Sequence, residues 1–241
     1  MSLTCFLTSS PGGYTFGPGG RIPCPLDASN DFIVELRSRW PSAAQLLFIA
    51  SDPDNPARLE EMADLLAQSF RLSGLPVAGY QLCHRPTQDQ VSALLTWANV
   101  LILCGGHVPT QNRFLAELDL KPQLQHFNGL LIGISAGSMN SAELVYAHPE
   151  LEGEAIDPEY PRWIPGLGLT EMRILPHLDS LRGDTLDGLD LIEDIALPDS
   201  HVHSFYGLPD GSWLLVENGV TTLHGPATYF ANGVETPINS L

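Results

Sequence analysis

The sequence predicts an α/β protein with a doubly wound, mostly parallel sheet flanked by helices and a β-hairpin near its C-terminal end. Two observations carry this reading. Short apolar runs of strand length alternate with longer amphipathic segments, giving five strand-and-helix units in roughly the first 145 residues. Farther on, Asn218-Gly219 separates two stretches of alternating apolar residues, a strong hairpin signal. With 241 residues, 44% of them hydrophobic, the chain can bury a sizeable core, and it reads as one α/β domain over 1–241.

Taken in order, residues 4–7 predict the first strand, which SSPGG ends. Residues 11–30 are rich in Gly and Pro and read as a long loop, followed by a helix over 31–40. A strand is expected at 45–50, and a helix at 55–72, where Leu59, Met62, Leu65, Leu66 and Phe70 keep helical spacing. Strands at 76–82 and 100–104 bracket a helix at 87–98, and a helix over 111–118 precedes a strand at 129–134. Ser135 then stands on a turn before a helix expected to run to 146. Residues 148–170 form a polar, Pro-rich excursion; 173–175 read as a strand ending at Pro176-His177, and 184–195 as an acidic amphipathic helix.

The formal charge of −17, from 11 basic and 28 acidic side chains, argues against nucleic acid and anionic membranes as partners. No segment reaches the roughly 18–20 consecutive apolar residues of a membrane span, and the N-terminal stretch lacks a basic region typical of a signal peptide. Cys5, Cys24, Cys83 and Cys104 are scattered without a CxxC pair, as in a reduced cytoplasmic protein. The expected state is a monomer or homodimer.

Gly133-Ile134-Ser135-Ala136-Gly137 fits the G-x-S-x-G nucleophile-elbow pattern, with an apolar strand before it and a helix-compatible segment after it. Small residues relieving a crowded turn would leave the same trace. A serine nucleophile needs a base, and His177, at the end of a strand fixed by Pro176, is the most suggestive histidine. Two backbone amides must meet the developing oxyanion; Ala136 follows the serine directly, and Gly105-Gly106 ends a strand where backbone can approach closely. Asp199, His201 and His203, two apart, would share one face of a strand, but no further ligand pattern supports a metal there. An α/β-hydrolase esterase would share the elbow but use a late histidine, His224.

The ordered set LILCGG, GISAGSM, ILPHL and GLPDGSW, spread from about residue 45 to beyond 213, resembles peptidase family S51, which contains aspartyl dipeptidase (peptidase E) and its cyanophycinase relatives. The resemblance implies a class I glutamine-amidotransferase-like fold with serine where amidotransferases carry cysteine. It implies Ser135 as nucleophile, His177 as general base, and Gly106 and Ala136 as oxyanion-hole donors. Asp210 stands where the family carries a glutamate proposed as third triad member; an acid after the elbow, here near Glu150 or Asp157, is the alternative. His107 and Gly105 are candidate substrate-binding residues. The arginine that aspartyl dipeptidase uses to bind its substrate has no counterpart, Arg182 being the nearest cation, so strict aspartyl specificity is not expected. The resulting expectation is a serine-type peptidase of small peptides that needs no cofactor, with a silent amidotransferase-like binding domain as the non-catalytic alternative.

Overall fold

In the computed structural model, which describes residues 3–238, the first strand, β1 (Thr4–Thr8), is buried along its length inside the main sheet. The Thr4 hydroxyl donates to Glu217 and that of Thr8 to the Gly133 carbonyl, so even its polar ends are satisfied. A hairpin of β2 (Gly12–Gly17) and β3 (Gly20–Leu26) follows, then α1 (Phe32–Arg39). Three strand-and-helix units come next: β4 (Ala44–Ile49) with α2 (Pro56–Leu72), β5 (Val77–Cys83) with α3 (Val91–Trp97), and β6 (Val100–Leu103) with α4 (Val108–Glu117) and α5 (Leu120–Leu124). β7 (Leu130–Ile134) passes through Ser135 into α6 (Ala136–Met139). Short elements follow: β8 (Leu144–Tyr146), β9 (Trp163–Pro165), β10 (Ile174–Leu175), α7 (Leu178–Leu181), β11 (Thr185–Leu186), β12 (Leu189–Asp190) and α8 (Leu197–Asp199). The chain closes with β13 (Phe205–Gly207), β14 (Trp213–Glu217), β15 (Val220–His224), β16 (Ala227–Ala231) and β17 (Val234–Ile238).

Among the described residues the main sheet has seven strands in the order β15-β14-β1-β7-β6-β4-β5. β1, β7, β6, β4 and β5 run parallel, and β14 and β15 extend the sheet antiparallel beyond β1. Helices flank the parallel strands on both faces, which is why runs such as Leu46-Leu47-Phe48-Ile49 and Val100-Leu101-Ile102-Leu103 are apolar throughout and fully buried. The chain leaves β4 toward the edge strand β5 but leaves β6 toward β7 and the centre, so the loops after β4 and β6 diverge. A crevice opens there at the carboxyl ends of the strands. A second sheet, β10-β13-β16-β17, stands beside it over a small core that includes Tyr146, Leu175, Phe205 and Phe230, with Tyr146 stacked on Phe205 at 4.3 Å and Phe205 on Phe230 at 5.0 Å.

Five expectations are corrected. The segment read as a loop is the β2–β3 hairpin; its glycines and prolines hide the pattern, and Pro23 and Pro25 are tolerated because a two-stranded ribbon is all edge. The helix after Ser135 stops at Met139 because tertiary donors capture the backbone: the N–H groups of Leu167, Leu169 and Gly168 reach the carbonyls of Asn140, Ser141 and Ala142. β8 then pairs with β9, giving the polar excursion a strand the sequence reading did not assign. The expected helix at 184–195 begins as a β11–β12 hairpin, since Asp187 and Gly188 take positive φ (54° and 84°) as an Asp-Gly turn requires. Its second half is a π-helical turn, Leu191–Ala196, whose first amides, of Ile192 and Glu193, are capped by the Asp190 carboxylate at 2.9 and 2.8 Å. The expected helix at 87–98 starts as a 3-10 segment, Arg85–Gln90, before α3.

Candidate active site

Ser135 follows β7 with φ 50° and ψ −112°, a conformation that side-chain-bearing residues rarely adopt. The surroundings hold it there. Its N–H donates to the Thr8 carbonyl at 3.1 Å, and its own carbonyl accepts from Ser138 and Met139 at 2.9 and 3.0 Å. The flanking glycines are where backbones press together: a methyl on Gly133 would lie 2.8 Å from Ser138 Cα, and one on Gly137 would lie 2.2 Å from the Leu103 carbonyl oxygen. The G-x-S-x-G spacing is thus a packing requirement of this turn.

The loop after β6 packs directly on the serine, since a Cβ on Gly105 would stand 3.3 Å from Ser135 Cβ. Next to it, a Cβ on Gly106 would meet Ser51 Oγ at 2.4 Å, and Ser51 itself donates to the Gly105 carbonyl at 2.7 Å. Among the described residues, neither the Gly106 N–H nor the Ala136 N–H has an acceptor. Two unspent amides therefore border Ser135.

His177 follows β10 with φ 58°, and Asp210 follows β13; the parallel pairing of these two strands brings the residues together. His177 Nδ1 lies 2.7 Å from Asp210 Oδ1. Ser9, just beyond β1 and wholly buried, accepts from the His177 backbone N–H at 2.8 Å and donates to the same Asp210 oxygen at 2.7 Å. The hydrogen bond from His177, with that from Ser9, outweighs partial burial and holds the Asp210 carboxyl below the ordinary carboxylate range. With Nδ1 engaged, Nε2 is the ring nitrogen without a protein partner among the described residues. Ser135 and His177 line one cleft of about 490 Å³. Among the described residues no hydrogen bond joins the serine hydroxyl to the imidazole.

Other candidates separate. Of the acids considered, Asp210 bonds His177; Asp157 instead accepts from the Glu159 N–H at 2.9 Å, and Glu150 lines the cleft. His107 also lines the cleft but is engaged on both nitrogens, by Thr110 at 2.7 Å and Glu154 at 2.8 Å. Arg182 is paired with Glu235 at 2.6 Å. His224 stacks on Trp213 at 3.9 Å in the β14–β15 hairpin, whereas His177 shares the cleft with Ser135. Asp199, His201 and His203 lie at a helix end and in turns, not on a strand, and Asp199 accepts from Tyr146 and Arg162.

Sequence reasoning missed Ser9, Glu154, Arg21 and Arg58. The last two line a smaller cavity of about 190 Å³ that also reaches Ser135 and His177. Ser9 had one available signal, a serine directly at the end of a central strand. Its contacts make it a positioning residue for the His177–Asp210 pair. Ser9→Ala is expected to lower kcat roughly tenfold with KM little changed. A kcat unchanged from the wild type would refute the role.

His148 lines the cleft yet is 2% exposed, and burial, aided by the Arg162 charge, pulls its pKa down to about 4 from 6.5. The unfolded chain therefore binds more protons between those values, and stability present above pH 6.5 is lost as pH falls toward 4, by about 3 kcal/mol at most. In His148→Gln, melting temperatures measured between pH 7.5 and 4 should fall less steeply than in the wild type; parallel curves would assign the acid sensitivity elsewhere.

A family model described as peptidase family S51 matches residues 29–224. The fold is similar to that of a peptidase from an acI-B1 Actinobacterium, with TM-score 0.64 and 16% identity over 100% of this chain and 97% of the other. It is also similar to a protein assigned as a peptidase E from Listeria monocytogenes EGD-e, with TM-score 0.58 and 13% identity over 92% and 98% of the two chains. No curated protein matches the sequence significantly. The structural likenesses establish a mostly parallel α/β sheet flanked by helices, shared with these proteins, and the family match spans most of the chain. The chain belongs to peptidase family S51 and is a serine-type hydrolase acting on peptides.

Proposed function

We propose that the chain is a dipeptidase-like serine peptidase that cleaves small peptides through an acyl-enzyme on Ser135. The observation that carries this reading is the convergence of a strained serine, two unspent amides and a carboxylate-oriented imidazole on one cleft. His177 Nε2 takes the Ser135 proton as Oγ attacks the scissile carbonyl carbon, and Gly106 and Ala136 N–H hold the oxyanion. His177 returns the proton to the leaving amine, and water, activated by the same nitrogen, hydrolyses the ester. Asp210 fixes the Nδ1–H tautomer and stabilises the imidazolium. Gly105 and His107 border the bound peptide. Side chains and backbone amides handle every proton and charge in these steps, so the cycle uses no cofactor.

Arg182, occupied by Glu235, does not supply a cation for an aspartyl side chain, which supports a preference not restricted to aspartate. The main core, continuous from β1 to β15, supports a single peptidase domain over 1–241. Its four free cysteines suit a cytoplasmic setting. Among the described residues no helix is long and apolar enough to cross a membrane. An activated aryl phosphonate should label the protein once, at Ser135, as read by mass spectrometry of the peptide carrying residue 135. Labelling elsewhere, or none, overturns the assignment.

A further inference from the structure

Two cavities that share Ser135 differ in the charges that line them. The smaller, beneath the β2–β3 hairpin and of about 190 Å³, is lined by Arg21 from β3 and Arg58 from the first turn of α2, and among the described residues no Asp or Glu lines it. This is a marked departure for a chain with 28 acidic and 11 basic residues. Arg39, Arg85, Arg162 and Arg182 are each paired with carboxylates. Among the described residues, neither Arg21 nor Arg58 is ion-paired.

Both guanidinium groups are placed for use. Arg21 lies over the rings of Tyr14 and Phe16 at 5.1 and 5.9 Å, which steadies the cation while leaving its N–H edge available. Arg58 lines both cavities, as Ser135 does. The wider cavity carries Glu150 and Asp184 as well as Arg58. Burial and the Glu154 charge push the Glu150 carboxyl up to about 8, although much of the residue is open to solvent; an incoming ammonium would reverse that shift.

We propose that the cavity under the hairpin is a carboxylate subsite, in which Arg21 and Arg58 hold a carboxylate of a short peptide whose scissile bond lies at Ser135. A dipeptide, about 7 Å long when extended, has the matching polarity: its ammonium faces Glu150 and Asp184, and the α-carboxylate of its leaving residue faces the arginines. Planar guanidinium groups recognise a carboxylate through paired charge-assisted hydrogen bonds. An acidic side chain offers the same group, so the two sources are separated by experiment. The subsite rests on Ser135 being the nucleophile, as proposed above.

The test compares Ala-Ala, Ala-Ala amide, Ala-Asp amide and Asp-Ala amide as substrates of the wild type, Arg21→Gln and Arg58→Gln, with phosphonate labelling of Ser135 run on all three proteins. The expected result is a wild-type preference in kcat/KM of roughly tenfold or more for Ala-Ala over its amide, carried in KM and falling toward unity in both variants. Transfer of the preference to either Asp-containing amide, lost in the same variants, supports the subsite with a side chain as its source. Equal turnover of all four by the wild type overturns it. So does an equal loss on all four in the variants, or cleavage of none while Ser135 is labelled. Failure of labelling in the wild type instead refutes the nucleophile reading, so the two failures are distinguishable.

Discussion

Alanine at Ser135 is expected to lower kcat/KM for peptide hydrolysis by about three orders of magnitude or more, and alanine at His177 by a similar factor. The two groups act as a unit in the proposed cycle: a hydroxyl without its base, and a base without its hydroxyl, both stop at acyl transfer. The double variant should therefore be scarcely slower than either single one. What survives reflects the amides of Gly106 and Ala136, which either variant leaves in place. Steady-state kinetics on one dipeptide checks this, with a melting curve to show each protein folded. Multiplicative losses in the double variant, or full activity in Ser135→Ala, would show that chemistry runs through other groups. Asp210→Asn belongs to the same series, since an amide in place of the carboxylate presents a donor to Nδ1 and favours the wrong tautomer.

The largest expected effect on stability is at Gly137. A methyl there meets the carbonyl oxygen, carbonyl carbon and Cβ of Leu103 at 2.2, 2.6 and 2.6 Å, and Leu103 is a fully buried residue of central strand β6. Backbone in a parallel sheet cannot move aside without breaking its ladders, so Gly137→Ala should cost about 3 kcal/mol or more, a drop of roughly 6–12 °C in Tm. Gly19→Ala, in the β2–β3 turn with nothing within 4 Å of the added carbon, serves as the control and should stay within about 0.5 kcal/mol. Equal melting temperatures for the two variants would mean that the turn is looser than its contacts indicate.

The parallel core was legible because both-face burial makes each strand an unbroken apolar run, as in residues 46–49 and 100–103, and because Asn218-Gly219 has a single reading. The Ser135 turn was legible for a related reason: crowding forces glycine at 133 and 137, leaving a short-range trace. Elsewhere the deciding interactions were long-range. The helix after Ser135 is cut short by donors from residues 167–169, and the Asp187 carboxylate, which accepts from Gly153 and Ala155, is committed across the 150s loop. The role of Ser9 depends on contacts across 168 and 201 residues, and local composition holds no record of them. Arg58 and Arg21 were invisible as a pair because their meeting depends on a hairpin that the glycines and prolines of 11–30 disguised.

The position of β1 also orders the birth of the site in time. Its neighbours, β7 and β14, come from residues 130–134 and 213–217, so the middle of the sheet joins the earliest part of the chain to one of the latest. Closing so long a loop is a slow, late step in folding. Because Ser9 at the end of β1 ties down both His177 and Asp210, a partly folded chain can carry every one of these side chains and still lack an oriented base. On the proposed mechanism, hydrolytic competence and completion of the fold then arrive together.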